Sequence, residues 1–293
     1  MKTEVARTQS PIYDSRKRGP VALEELRGIV QYRDLIFQLI RRDVVSRYKR
    51  SVLGVAWTML QPLGMMLILT VVFSQLFHRV QGFSVYLLSG LIAWTFFAQS
   101  TQAAMHQMVW GGTLLKHIYL PRTAFVVAAV GTGVVNLLLS LVPLVIVMFV
   151  SGHPAKWSIL MLPYSILLLT AFSLGVALLL STLAVNFPDV AEMYTVVVYG
   201  WMYLTPIIWP VSIIPETARF QIFQLWALEL NPRYWLLNLN PMYHLVQLFR
   251  LPVYDGVVPN WPTLAFGTAI AVVALLTGWL VFSNQADEFT YRT

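Results

Sequence analysis

The sequence predicts an all-α integral membrane protein with six transmembrane helices, and three observations carry that expectation. Hydrophobic residues make up 57% of the 293 residues and charged residues only 11%, against about 45–50% and about 25% in soluble domains. Too little charge is present to coat a soluble surface of this size. Six stretches free of Asp, Glu, Lys and Arg, at 51–78, 80–115, 123–155, 157–188, 193–215 and 256–286, are long enough to span a bilayer, which takes about 20 apolar residues in a helix. The 10 Trp, 13 Tyr and 16 Phe suit the membrane–water interface, where amphipathic rings settle.

The elements follow in order. Residues 1–21, with Pro11, Gly19 and Pro20, predict a flexible arm. From 22 to 50 the pattern turns helical: Leu26, Ile29, Val30, Phe37, Ile40 and Val44 share a stripe, while Glu24, Arg27, Asp34, Arg41 and Arg42 lie mostly off it. This predicts an amphipathic helix in the membrane interface, with Arg41, Arg42, Arg47 and Lys49 available to an anionic leaflet. A short soluble helix leading into the first span is the plainer alternative. Residues 51–293 form the six-span domain. Trimmed to apolar cores, its helices are 54–77, 84–106, 124–150, 157–184, 193–213 and 262–282, with Pro62, Pro143, Pro163 and Pro206 in them or near their ends as expected kinks. A further apolar stretch, 234–249, is too short and too polar to span, which predicts a re-entrant or interfacial helix. The whole segment 214–261 is longer than a turn and rich in proline.

Charge placement orients the bundle. Residues 1–50 hold 12 of the 20 Lys and Arg; the 107–123 loop adds Lys116 and Arg122, and the tail adds Arg292. The opposite side holds Arg79, Lys156, Arg219, Arg233 and Arg250. The excess of basic residues on one side places both termini in the cytoplasm. The net +7 is therefore mostly an N-terminal cluster, read as attraction to lipid headgroups rather than nucleic acid. No signal peptide is expected, since the first apolar run starts some 50 residues in and lacks a small-residue cleavage site.

The sequence also excludes chemistry. Without a Gly-Lys dipeptide there is no P-loop, and no H-E-x-x-H or G-x-S-x-G motif is present. There is no Cys, and His78, His106, His117, His153 and His244 are scattered, so no metal site and no cofactor are expected in this chain. Ion-coupled transporters need ionisable groups within their spans. Here Gln61, Gln99, Gln102 and Asn136 are the most polar groups at depth. A passive pore remains, or a transporter driven by another chain.

Four stretches carry a family pattern. RDVVSRYKRSVLGVAWTMLQPL (42–63) runs from a basic helix into the first span. GLIAWTFF (90–97) and LLKHIYLPR (114–122) bracket the second. TPIIWPVSIIPE (205–216) closes the fifth, and LNPMYHLVQLFR (239–250) precedes the sixth. In this order they resemble the ABC-transporter permease subunits that export polysaccharides of the O-antigen, teichoic acid and capsule type, over about residues 30–290. The resemblance implies a homodimer of six-span subunits in the bacterial inner membrane, paired with two copies of a separate ATP-binding subunit that would hold ATP and Mg. It implies a lipid-linked polysaccharide as cargo, moved outward, with no covalent chemistry in this chain. Residues 111–122 would be the coupling helix, with Leu114, Leu115, Lys116, Ile118, Tyr119, Pro121 and Arg122 facing the ATPase; Leu114, Leu115, Ile118 and Tyr119 suit a groove on a partner. Segment 214–261 would hold external gate helices. Aromatic faces hold sugar rings without trapping them by charge, and the resemblance assigns the channel to spans 1 and 5: Trp57, Phe73, Phe77, Tyr194, Tyr199, Trp201 and Tyr203. For each ring an aromatic belt or plain packing is the alternative, and Trp94, Phe96 and Phe97 read as packing. A lipid or drug exporter of a related ABC branch and a passive channel without an ATPase are the rival readings.

Overall fold

The computed structural model describes residues 21–49, 53–77, 80–110, 122–214 and 237–285. Every extended element among them is helical: α1 (Val21–Gln31), α2 (Arg33–Tyr48), α3 (Ala56–Phe73), α4 (Phe83–Trp110), α5 (Thr123–Val150), α6 (Leu162–Asn186), α7 (Asp189–Leu204), α8 (Pro241–Arg250) and α9 (Trp261–Gln285). Five of these segments, α3, α4, α5, α6 with the short turn that precedes it, and α9, are long and apolar enough to cross a membrane. None carries Asp, Glu, Lys or Arg. The expected all-α integral membrane class is what the fold shows.

The α4 helix is the axis of the bundle, packed by α3, α5, α6, α7 and α8. Its Val85, Leu87, Leu88, Phe97, Met105 and Met108 are fully or almost fully buried. Ser89, Gly90, Ala93, Ser100, Thr101 and Ala104 along the same helix are small, and small residues let neighbouring backbones approach in a bilayer, where apolar contact alone gives no preference for protein over lipid. Three threonine hydroxyls buried in the spans bond back into their own helix: Thr101 Oγ1 donates to Phe97 O at 2.9 Å, Thr132 Oγ1 to Ala128 O at 2.9 Å and Thr182 Oγ1 to Leu178 O at 2.9 Å. Such groups need no water to be satisfied. Ser100, Ser173 and Ser181, by contrast, are buried without a partner among the described residues.

The tightest seam joins α6 to α9. A Cβ at Gly175 would meet the Ala274 carbonyl carbon and Leu275 N, and one at Gly278 would run into the Gly175 backbone. Backbone therefore lies on backbone where the two helices cross, in the manner of small-residue crossings in membranes.

Two elements differ from the expectation. The single helix foreseen at the N-terminus is two, parted at Tyr32. Neither Pro nor Gly stands at 31–33 to demand a break. The break allows α1 to lie on α9 while α2 lies on α5. There Ile36 and Leu39 pack with Ala124, Phe125 and Ala128. Two polar ties fix this docking: Thr123 Oγ1 donates to Glu25 at 2.6 Å, and Gln107 Nε2 at the end of α4 donates to Asp43 at 3.0 Å.

The stretch foreseen as the fifth span, 193–213, also differs. Its helix, α7, starts earlier, at Asp189, and stops at Leu204 after 16 residues. Pro206 and Pro210 have no N–H to continue the ladder, so the chain turns at Thr205–Trp209. Of the stretch 234–249, expected as a re-entrant or interfacial helix, the part from Pro241 is helical and runs on to Arg250 as α8, with Pro241 in its first turn and Asn240 capping it: Asn240 Oδ1 accepts from Met242 N at 3.1 Å. Residues 215–236, in the segment expected to hold the external gate helices, lie outside the described residues.

Candidate functional site: an amide-lined groove

Three helices leave a groove between them. The residues of α4 that line it, Ile92, Thr95, Phe96, Gln99, Ser100, Ala103 and Gln107, follow a helical period and so form one stripe. On α5 the facing stripe is Ala129, Thr132, Gly133, Asn136, Leu137 and Ser140. The first turns of α3 contribute Trp57, Thr58, Gln61 and Pro62. The groove has two adjoining hollows of about 430 and 500 Å³ that share Gln99, Gly133 and Asn136. One end reaches α2 at Arg42, Asp43 and Ser46; the other opens beside Trp57.

Local sequence explains the space. Gly133 carries no side chain, and a Cβ there would strike Ser100 Oγ and come within 3.1 Å of Phe96 Cε2. Pro62 cannot bond to the Thr58 carbonyl one turn earlier, and the Ser140 hydroxyl lies 3.5 Å from that oxygen while donating at 2.9 Å to Asn136 O. Gln61, Gln99 and Asn136, three of the four most polar groups at depth in the sequence, thus converge from three helices on one space. Gln102 is not among the groove residues. Ser100 Oγ, at the floor, is buried with no hydrogen-bond partner among the described residues.

The seven aromatics expected along a channel fall into separate environments. Trp57 stands at the groove and is 55% exposed. Phe73 stacks on Phe77, which leans on Phe83, in a cluster at the far end of α3. Tyr194 is buried, its hydroxyl 2.8 Å from Thr101 Oγ1. Trp201 meets Trp94 and Phe97 edge to face and donates from Nε1 to Asn240 Oδ1 at 2.8 Å. Tyr199 and Tyr203 lie on the outer face of α7, mostly exposed. Trp94, Phe96 and Phe97 are buried, and Phe96 also borders the groove.

Of the basic residues assigned to the interface helix, Arg41 and Lys49 are exposed. Arg42 bonds to the neighbouring Asp43 at 2.9 and 3.0 Å, and the Arg47 side chain lies outside the description. Of the coupling residues, Leu114, Leu115, Lys116, Ile118, Tyr119 and Pro121 lie outside the described residues. Arg122 stands just before α5, where burial pulls its guanidinium below the ordinary arginine range and the Glu25 carboxylate pushes it back.

One cluster was not foreseen. Arg250, counted in the sequence only as a basic residue of the outer side, is buried at 2% exposure. It donates from Nη1 to Pro206 O at 2.9 Å and from Nη2 to Ile207 O at 3.4 Å, and its Cζ lies 3.7 Å over the Tyr86 ring. The Tyr86 hydroxyl donates to Pro206 O at 3.1 Å and Trp209 O at 3.0 Å. A side chain at Gly90 would run into the guanidinium. The carbonyls freed where α7 stops are thus capped by a side chain about forty residues away. The signal in sequence was a lone Arg closing the apolar run LVQLF, since a charge so placed needs a partner.

Comparison with known proteins gives these elements a family. The profile described as ABC-2 type transporter matches residues 34–254, well over half of the chain. The chain is 25% identical over 265 residues to the O-antigen export system permease protein RfbA of Myxococcus xanthus, covering 90% of this chain and 97% of that protein. It is 28% identical over 202 residues to an O-antigen export system permease protein RfbA of Klebsiella pneumoniae, covering 68% and 75%. The polysialic acid transport protein KpsM of Escherichia coli is 22% identical over 253 residues, covering 85% and 92%. By the extent of the profile match and the helical bundle it spans, the chain is a multi-pass membrane protein of the ABC-2 type transporter family.

Proposed function

We propose that this chain is the membrane-spanning subunit of an ATP-driven exporter that moves a lipid-linked polysaccharide from the cytoplasmic to the outer face of a bacterial inner membrane. It works as a homodimer with two copies of a separate ATP-binding subunit, which holds ATP and Mg, and it does no covalent chemistry itself. Both termini are cytoplasmic, so α1, α2 and the 111–122 connection lie on the side of the ATPase. The 111–122 connection transmits its motion.

The observation that carries the reading is the chemistry of the bundle interior. Within the spans the groove is lined by amides, hydroxyls, rings and aliphatic groups, with Arg42 and Asp43 only at its α2 end, and none of the five long apolar segments carries Asp, Glu, Lys or Arg. A proton- or ion-coupled cycle has no groups to run on there. A long neutral polar chain would find partners for its hydroxyls without being trapped by charge. Relatives named for O-antigen export and polysialic acid transport, aligned over most of the chain, support polysaccharide as the cargo, without bearing on its charge.

The test is co-purification of the chain with a candidate P-loop ATPase subunit, followed by reconstitution into proteoliposomes. ATP hydrolysis that rises with added lipid-linked glycan, with glycan appearing on the far side of the membrane, is the expected result. An ATPase that responds to phospholipid or drug instead would move the cargo to a related ABC branch. A chain that binds no ATPase and leaks solutes would be a passive channel.

A further inference from the structure

We infer that the groove between α3, α4 and α5 is a binding site for neutral sugar units, gripped by Gln61, Gln99 and Asn136 and stacked on Trp57. The inference rests on the polysaccharide reading above and assigns it a place within one protomer, at residues apart from the aromatics of α7.

Three features of the groove select the ligand. The first is unspent hydrogen-bonding capacity. Each side-chain amide offers two N–H donors and a carbonyl acceptor. Gln61 and Gln99 make no hydrogen bond among the described residues, and the Ser100 hydroxyl beneath them is buried without one. Gln61 and Gln99 therefore tie no two elements of the described fold together. Polar groups left unpaired at this depth are costly, and a lipid tail has nothing to pair with them. An occupant with hydroxyls satisfies them.

The second feature is neutrality. The lining from Gln61 to Thr132 contains no charged side chain; Arg42 and Asp43 stand only at the α2 end and are paired with each other. A phosphate or carboxylate moved inside would lose its hydration with no counter-charge to replace it. A neutral polyhydroxylated ring loses far less and regains it from amides.

The third is shape. Trp57 offers an exposed indole and Phe96 borders the same hollow. The electron-rich faces of such rings suit the slightly positive C–H face of a sugar. Each hollow, at about 430 and 500 Å³, falls in the range of roughly 300–1,000 Å³ typical of small-molecule sites. From Ile92 to Gln107 the α4 stripe extends about 22 Å at the helical rise per residue, enough for consecutive units of a chain.

The chain has no native cysteine, so a single introduced thiol is the only one it carries, and labelling is read on this chain after separation from the ATP-binding subunit. The experiment uses the complex with the ATP-binding subunit in proteoliposomes, carrying Thr95→Cys or Ala103→Cys at lining positions that do not grip the sugar, and follows the reaction rate with a charged methanethiosulfonate reagent. Lipid-linked glycan should slow labelling about tenfold, while the same lipid carrier stripped of sugar leaves it unchanged. Protection by the stripped carrier would make the occupant an acyl chain and overturn the proposal. So would equal labelling with and without glycan, or thiols that never react because a second copy of the chain seals the groove. In a second arm, Gln61→Leu with Asn136→Leu should raise the glycan concentration that half-stimulates ATP hydrolysis about tenfold, the loss of one or two hydrogen bonds; an unchanged value counts against the site. A wild-type complex that responds to glycan while its groove thiols stay unprotected refutes the site and leaves the exporter reading standing. A wild-type complex that ignores glycan refutes both.

Discussion

Helices α3 and α4 run side by side, both free of charge and both long enough to span, yet the bundle treats them oppositely. In the most apolar stretch of α4, 83% of residues are buried, against 11% for α3. The polar residues go with burial. On α4, Ser89, Ser100 and Thr101 are buried and Gln99 and Gln102 half-buried, whereas Leu67, Ile68, Val71 and Val72 of α3 face outward. This inverts the habit of soluble proteins. In a bilayer, apolar side chains are at home against lipid, and a helix bearing hydroxyls and amides is the one that must be surrounded by protein.

Substitutions can break or sharpen that contrast. Phe97, wholly buried on α4 against Trp94, Phe172 and Trp201, should matter most: Phe97→Ala should cost about 3–5 kcal/mol through the cavity it leaves. Thermal unfolding in detergent would read this as a large fall in midpoint and in yield. Arg250→Met comes next, at about 2–3 kcal/mol, because it strips the donors from the Pro206 and Ile207 carbonyls beside Tyr86 of α4. Arg250→Lys should recover only part, since an ammonium lacks the planar fork that reaches both oxygens; equal midpoints for the two variants would show that charge alone is at work. Thr101→Val, which removes the contact with the Tyr194 hydroxyl, should cost about 1 kcal/mol in the same assay. Val71→Ala, on the outward face of α3 at 76% exposure, should stay within about 0.5 kcal/mol. A cost near that of Phe97→Ala would break the contrast and show that another chain covers α3 in the native assembly.

Much of this architecture was legible from where charge is absent. Five of the charge-free stretches correspond to the five long apolar segments, with ends that agree to within a few residues. The early stop of α7 was not legible in that way, because TPIIW is as apolar as the helix before it. What ends the helix is Pro206, and what makes the end tolerable is Arg250, a tertiary partner no local window contains. The groove shows the same limit. Gln61, Gln99 and Asn136 could be named as the polar residues at depth, but their convergence depends on how three helices pack. For the α7 aromatics the signal existed and was finer than a count of rings. Ala191, Tyr194 and Val198 share the buried face at steps of three and four, which leaves Tyr199 and Tyr203 on the other side. Helical phase, rather than aromatic character, separates them.

The crossing of Gly175 with Gly278 has a mechanical consequence. Side chains at a helix contact act as bearings: they change rotamer and let one rod roll over another. At this crossing point there are none, only main chain on main chain, and on either side the helices are tied again, by the Tyr164 and Thr268 hydroxyls 2.6 Å apart and by Asn186 Nδ2 donating to Gln285 Oε1 at 2.7 Å. A roll or slide there would drive backbone into backbone, so the two helices travel as a single strut. Any rearrangement that opens a path through the protein must pivot elsewhere, at contacts such as those of α3 and α7 that still have side chains to shift.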